Sequence, residues 1–137
     1  MFRYATAVRL PDTDAAGVIF FAQQLRMAHE AGEAFMEAAG YALHTTLSKA
    51  GILLPIVRAE SDYLAPLHWG DALSVEVRCG RIGTTSFTLR YRFRKDDGAL
   101  VGTARIVHVA VSSKTGRPVR LPVALRTALT TAAARNE

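Results

Sequence analysis

The sequence predicts an α+β fold, with an antiparallel sheet of about five strands curved around one long helix. A first segment has apolar residues at even spacing, a single long segment has helical periodicity, and several strand-like segments follow. This order is typical of a helix packed on one face of an antiparallel sheet. The 137 residues include no internal repeat or linker-like tract, so we expect one domain over residues 1–137.

The first strand is predicted over residues 3–10, where apolar residues recur at even spacing before Pro11 ends the pattern. The long helix is predicted over residues 22–39 and ends at Gly40. Its apolar positions recur at spacings of three and four: Leu25, Ala28, Gly32, Phe35 and Ala39.

A short helix is predicted over residues 43–49, before Gly51. Four strands are then predicted as a meander, over residues 53–64, 72–82, 85–95 and 99–112. Turn residues separate them, and Asp97-Gly98 is a strong signal for a tight hairpin. A C-terminal helix is predicted over residues 121–134, and we expect it to fray after Ala132.

The composition is typical of a soluble globular protein, with 50% hydrophobic and 21% charged residues. There is no apolar run of roughly 18 residues and no signal-peptide core, so we expect a cytoplasmic protein without a membrane partner. The net charge of +5 comes mainly from dispersed arginines, which suit a phosphate-bearing ligand as readily as a nucleic acid. Because no RNA-stacking or DNA-binding pattern accompanies them, we predict no nucleic-acid partner.

Several common catalytic centres are disfavoured by the residues present. Cys79 is the single cysteine, which excludes an intrachain disulfide and a cysteine zinc cluster, and it is expected to be a small core residue. The four histidines have no metal-binding spacing, so we predict no metal and no cofactor. No serine lies in Gly-x-Ser-x-Gly, so a serine-hydrolase elbow is absent from the sequence.

Asp12 and Asp14 precede the long helix, where an aspartate is usually a helix cap. However, Gly17 and four bulky apolar residues separate Asp14 from the helix, which is farther than a cap normally lies. This spacing favours a carboxylate beside an apolar pocket that is walled by the unpaired N–H groups of the helix start. Those groups would polarise a thioester carbonyl and stabilise its developing oxyanion.

Residues 12–21, Asp-Thr-Asp-Ala-Ala-Gly-Val-Ile-Phe-Phe, resemble the signature of the 4-hydroxybenzoyl-CoA thioesterase family of hotdog proteins. The likeness continues in Val-Arg-Ala-Glu-Ser-Asp-Tyr-Leu-Ala-Pro at 57–66, Gly-Asp-Ala-Leu at 70–73 and Thr-Ser-Phe at 85–87. It implies a hotdog fold and an enzyme that hydrolyses an acyl-CoA thioester. It also implies a homodimer joined edge to edge through its sheets, often paired into a homotetramer, with active sites between subunits.

The resemblance also implies catalytic roles. Asp14 would be the catalytic carboxylate, either as nucleophile or as general base, and the sequence leaves both open. The backbone N–H of Phe21 would polarise the thioester carbonyl, and Gly17 would shape the turn between them. The candidate substrate-binding residues are Phe20, His29, Glu33, Pro55, Arg81, Thr84, Thr85 and Ser86.

His29-Glu30-Ala31-Gly32-Glu33 and Leu-Pro-Ile-Val at 54–57 resemble the branch that hydrolyses 1,4-dihydroxy-2-naphthoyl-CoA. This favours an aromatic acyl group. The alternatives are a short or medium-chain aliphatic acyl-CoA, an acyl-carrier-protein thioester, and an acyl-thioester-binding hotdog protein that does not hydrolyse its ligand.

Two features leave roles open. Some relatives hold the CoA phosphates with basic residues where this chain has Gly83-Thr84-Thr85, so those contacts must come from elsewhere. The candidates are Arg81, Arg90, Arg117 and Arg120. His29 and Glu33 are one helical turn apart. A hydrogen-bonded pair at a dimer interface is favoured over an acid/base pair or a weak metal site, because two ligands are too few for a metal.

Overall fold

The computed structural model describes residues 1–135. Its elements, in chain order, are β1 (Phe2–Ala7), a 3₁₀ turn (Leu10–Asp12), α1 (Phe21–Ala38), α2 (Leu43–Ala50), β2 (Ile52–Leu53), β3 (Ile56–Tyr63), β4 (Ala72–Ile82), β5 (Ser86–Lys95), β6 (Leu100–Val109), β7 (Val111–Ser112) and α3 (Val123–Arg135). None of the helices in this part of the chain is both long and apolar enough to cross a membrane.

Five antiparallel strands form the main sheet in the order β1-β4-β5-β6-β3, and β2 and β7 form a separate short pair. The sheet is apolar on its inner face, which β5 illustrates with Phe87, Leu89, Tyr91 and Phe93, all buried against α1. Alternation along a strand places every second side chain on this face. The predicted hotdog architecture, one long helix held by a curved five-stranded sheet, is confirmed.

The predicted four-strand meander is wrong in one respect. Strands β4, β5 and β6 form a meander, but β3 pairs with β6 at the sheet edge and not with β4. The segment after β3 crosses the end of the sheet, where Leu64 N donates to Val101 O at 3.0 Å and Gly70 N donates to Val8 O at 2.9 Å. Alternating polarity identifies a strand without identifying its neighbours, so the sequence alone did not reveal this crossover.

Several predicted boundaries also differ from the structure. The first strand stops at Ala7, because Leu10–Asp12 forms a 3₁₀ turn around Pro11. The strand predicted at 53–64 is two strands separated at Leu54 and Pro55, since proline has no N–H for a sheet. The strand predicted at 99–112 is likewise interrupted at residue 110. Helix α3 begins after Pro122, two residues later than predicted, and is helical through Arg135. The predicted fraying after Ala132 extends beyond the described residues and stays a prediction.

Two contacts fix α1 on the sheet. Gln24 is 1% exposed, and its Nε2 donates to Ser61 Oγ at 2.8 Å and to the Asp62 carbonyl at 2.9 Å. Two turns further along, Gly32 lies so close to β5 that a Cβ there would be 2.5 Å from the Tyr91 hydroxyl. These contacts hold the start of α1 beside the end of β3, which is where the candidate site lies.

Candidate active site

Asp14 begins a tight turn that leads into α1. Asp14 N donates to Val18 O at 2.9 Å, and Gly17 N donates to Asp14 O at 3.0 Å. Gly17 has a φ of +76°, a left-handed conformation that favours glycine, so its role in the site is to close this turn. The Asp14 Oδ1 atom accepts the Ala16 N–H at 2.8 Å, which fixes the carboxylate and leaves Oδ2 available to a ligand or water.

Asp12 has a different role from Asp14. It is 7% exposed, accepts the Arg9 N–H at 2.9 Å and forms an ion pair with Arg26 of α1 at 2.8 Å. Its carbonyl accepts the Phe20 N–H at 2.8 Å. Asp12 therefore fastens the turn to α1, and neither aspartate caps the helix, because the N-cap is Phe20 and receives no side-chain cap bond.

The first N–H groups of α1 face no backbone acceptor. Within residues 1–135 the N–H groups of Phe21 and Ala22 have no backbone partner, whereas Gln23 N donates to Phe20 O at 2.9 Å. Unpaired donors at a helix start carry a partial positive charge. Tyr63 fixes this helix start, because its hydroxyl donates to the Phe21 carbonyl.

Asp14 and Phe21 line one groove of about 450 Å³. The other lining residues are Val18, Ile19, Phe20, Tyr63, Leu64, Ala65 and Pro66. The rings of Phe20 and Phe21 lie 4.8 Å apart between centroids, and Phe21 is 65% exposed. The structure thus brings together a carboxylate, the open start of a helix and an apolar surface, as the spacing of the sequence predicted. Four candidate residues meet here: Asp14, Gly17, Phe20 and Phe21.

His29 and Glu33 lie elsewhere, in a second and more enclosed cavity of about 240 Å³ between α1, α2 and the sheet. Its other lining residues are Glu30, Gly32, Met36, Leu43, Leu47, Leu54, Phe87, Leu89, Tyr91 and His108. Within residues 1–135, His29 and Glu33 do not form the predicted hydrogen bond. Instead the His29 ring stacks against the ring of His108, with centroids 6.3 Å apart.

His108 is buried at the sheet side of this cavity, stacked on Phe87 at 5.1 Å. Burial lowers the pKa of its imidazole, with a smaller contribution from the charge of His29, while the hydrogen bond to Leu54 opposes the shift. Its Nδ1 lies 3.1 Å from the Leu54 carbonyl and donates to it, so Nε2 of the neutral ring is an acceptor. His108 was not among the predicted site residues, because a single histidine in a predicted strand carries no functional signal.

The remaining candidates lie near the cavity end of β3. Pro55 O accepts the Val109 N–H at 3.1 Å, and Thr85 O accepts the Ala110 N–H at 2.8 Å. Both candidates therefore lie beside the break between β6 and β7. Thr84 O accepts from Leu121, and Ser86 is the first residue of β5. Arg81 is exposed near the end of β4.

Within one chain, the candidate residues therefore lie at two separate sites, the Asp14 groove and the His29 cavity. The groove lies at the Tyr63 end of β3, and the cavity lies at its Leu54 end. The eight residues of β3 separate these ends by roughly 23 Å at about 3.3 Å per residue.

Other reactive groups do not form a competing centre. Burial raises the pKa of the Cys79 thiol to about 11, so the thiol stays protonated and is a poor nucleophile. Within residues 1–135 no group of three or more histidine, cysteine, aspartate or glutamate side chains is arranged to hold a metal ion.

Comparison with known proteins places this chain in a family. The model of the Thioesterase-like superfamily matches residues 8–129. A 1,4-dihydroxy-2-naphthoyl-CoA hydrolase from Synechococcus elongatus is 38% identical over 126 residues, covering 91% of this chain and 92% of that protein. One from Rippkaea orientalis is 36% identical over 114 residues, covering 82% and 83%.

Solved structures agree with this placement. The crystal structure of a 1,4-dihydroxy-2-naphthoyl-CoA thioesterase from Synechocystis has a TM-score of 0.88 at 32% identity, covering 94% of this chain and 95% of that chain. A gentisyl-coenzyme A thioesterase has a TM-score of 0.84 at 26% identity, covering 93% and 99%. With a family model spanning most of its length and relatives above 30% identity, the chain belongs to the Thioesterase-like superfamily.

Proposed function

We propose that this chain is an acyl-CoA thioesterase that hydrolyses an aromatic acyl-CoA, of the 1,4-dihydroxy-2-naphthoyl-CoA or 4-hydroxybenzoyl-CoA type, to the free acid and CoA. The observation that carries the proposal is the groove shared by the Asp14 carboxylate and the open N-terminus of α1 at Phe21. The similarity to a 1,4-dihydroxy-2-naphthoyl-CoA hydrolase and to a gentisyl-coenzyme A thioesterase supports the choice of an aromatic substrate.

In the proposed reaction, the thioester carbonyl oxygen accepts a hydrogen bond from the Phe21 N–H, where the helix dipole stabilises the oxyanion. Asp14 then has two chemical routes. As general base it takes a proton from the attacking water; as nucleophile it forms an anhydride that water hydrolyses. In either route the thiolate of CoA leaves and is protonated, and the acyl group leaves as a carboxylate.

We propose that the enzyme is a dimer formed through β3. This strand lies at the sheet edge, so the backbone N–H and C=O groups that point away from β6 have no neighbouring strand in the described sheet. Seven of its eight residues are exposed. Large exposed apolar residues lie in this strand and next to its ends, namely Leu53, Ile56, Val57, Tyr63 and Leu64. An exposed edge strand with apolar flanks is a pairing surface for another strand.

If two β3 strands pair antiparallel about a two-fold axis, the Tyr63 end of each strand lies beside the Leu54 end of its partner. The groove with Asp14 at the Tyr63 end of one subunit then lies beside the His29 cavity at the Leu54 end of the other. The acyl ring would enter that apolar cavity, where neutral His108 can accept a hydrogen bond from a hydroxyl of the ring. The split candidate residues then belong to one composite site.

Replacement of Ala59, in the middle of β3, by lysine tests this dimer. The two-fold axis places the two new ammonium groups close together, so we expect the dimer dissociation constant to rise about a hundredfold, or about 2.8 kcal/mol. Sedimentation velocity measures the dissociation, and the rate of thiol release should fall with it. The control is Ala134→Lys, at an exposed position of α3. A dimer that persists in Ala59→Lys as in the control would refute pairing through β3.

Thiol release from a panel of aromatic and aliphatic acyl-CoAs, with an acyl-carrier-protein thioester included, tests the substrate. We expect a hydroxylated aromatic acyl-CoA to have the highest kcat/KM, at least tenfold above any aliphatic member. A preference for an aliphatic chain or for the carrier protein would replace the aromatic assignment. Absence of turnover throughout the panel would leave a binding protein that does not hydrolyse thioesters.

Assembly of the dimers into a homotetramer is proposed on the family resemblance, and the cytoplasmic location expected from the sequence is proposed with it. Both stay predictions, which sedimentation equilibrium and cell fractionation would test.

A further inference from the structure

We propose that the outer face of the sheet, opposite α1, carries a binding site for a small phosphate-bearing molecule, centred on Arg78, Arg90 and Arg105. Alternation along the strands places these side chains away from the helix, because Leu89 and Tyr91 on either side of Arg90 are buried against α1. The site is therefore on the opposite face of the sheet from the cavity that holds His29 and His108.

The three arginines form one row across adjacent strands. Arg78 of β4 is directly opposite Arg90 of β5, and Arg90 is directly opposite Arg105 of β6. Like charges at directly opposite positions of antiparallel strands repel each other and destabilise the sheet. A bound anion between the guanidinium groups would convert this repulsion into attraction.

The carboxylates of this face neutralise only Arg105 of the row. Within residues 1–135, the ion pairs on this face engage Arg3 and Arg94 with Glu76, and Arg58 and Arg105 with Glu60. They leave Arg78, Arg90 and Arg92 without a carboxylate partner in this part of the chain.

Two guanidinium nitrogens of the row are also buried without a hydrogen bond in the described chain. They are Nε of Arg78 and Nε of Arg105. The latter lies 3.1 Å from Glu60 Oε2, an ion-pair distance at which the angle does not give a hydrogen bond. An unpaired buried donor is costly, and an oxyanion is the partner that a guanidinium group binds best.

The neighbouring groove defines the class of ligand. It measures about 310 Å³ and includes Arg90, Arg92, Arg105 and Thr103, with Glu60 and Asp62 at the β3 side. A phosphate group presents enough oxygens for the several arginines that line the groove, which a single carboxylate does not. The two acidic residues would repel a continuous phosphate backbone, so the site favours a compact phosphate compound over a nucleic acid.

Isothermal titration calorimetry with inorganic pyrophosphate, at constant ionic strength, tests the site. We expect one saturable site per chain, with binding at least tenfold weaker in Arg90→Gln and in Arg78→Gln. Arg135→Gln, an equal change of charge at an exposed arginine of α3, is the matched control and should bind as the wild type does. Circular dichroism on all variants confirms that they are folded.

In the pyrophosphate titration, four results would overturn the proposal: no saturable binding, equal weakening in Arg135→Gln, tighter binding of citrate than of pyrophosphate, or binding of oligothymidylate alone. A parallel titration with CoA separates this site from the thioesterase site. CoA should bind Arg90→Gln and the wild type equally, because its binding site is proposed to lie at the groove and the inner cavity. Loss of CoA binding in Arg90→Gln would assign the arginine row to the CoA phosphates and refute a separate site.

Discussion

Replacement of Asp14 by asparagine is expected to lower kcat for thioester hydrolysis by about a thousandfold, within the range that a general base or nucleophile contributes. Asparagine is nearly isosteric, and its Oδ1 can still accept the Ala16 N–H that Asp14 accepts at 2.8 Å. The turn should therefore persist while the negative charge and basicity are lost. The measurement is thiol release under saturating aromatic acyl-CoA, together with the thermal midpoint.

The chain offers a matched control for this variant. Asp97 makes the same local bond, because its Oδ1 accepts the Ala99 N–H at 2.9 Å in the turn between β5 and β6. Asp97→Asn should keep wild-type activity. If Asp14→Asn retained more than a tenth of the wild-type kcat, a carboxylate at this position would not be required and the proposed mechanism would be wrong.

The second large effect is expected on stability, at the closest approach of α1 to the sheet. In Gly32→Ala the new Cβ would lie 2.5 Å from the hydroxyl of Tyr91, which is 2% exposed, so the tyrosine ring or α1 must shift. Overpacking of this kind costs about 3 kcal/mol, and the higher helix propensity of alanine offsets about 1 kcal/mol. We expect a net loss of about 2 kcal/mol and a Tm lower by roughly 7 °C.

A second substitution separates this clash from other causes. Tyr91→Phe removes only the hydroxyl, and the ring atom Cζ that remains would be 3.5 Å from the new Cβ, an ordinary contact. In that background Gly32→Ala should stabilise the protein by about 1 kcal/mol, through helix propensity. Urea unfolding of the four proteins measures this cycle. A similar loss of stability in both backgrounds would show that the hydroxyl is not the cause.

The groove at Asp14 was predictable because its parts are close together in sequence. Gly17 permits the turn, and the start of α1 at Phe21 follows within a few residues, so local geometry alone brings the carboxylate to the helix N-terminus. The contributions of Tyr63 and Gln24 were not predictable. Both act across 37 or more residues of sequence, and nothing in the local pattern marks a polar residue that will meet a distant strand.

The sequence by itself determined the α+β class, the long helix, the turn at Gly98, and the carboxylate placed before the helix, because each depends on local periodicity or backbone freedom. Only the tertiary structure decided that β3 pairs with β6 at an exposed edge. It also separated the Asp14 groove from the His29 cavity and aligned Arg78, Arg90 and Arg105 in one row. These features depend on strand order and register, which are set by packing between segments distant in sequence.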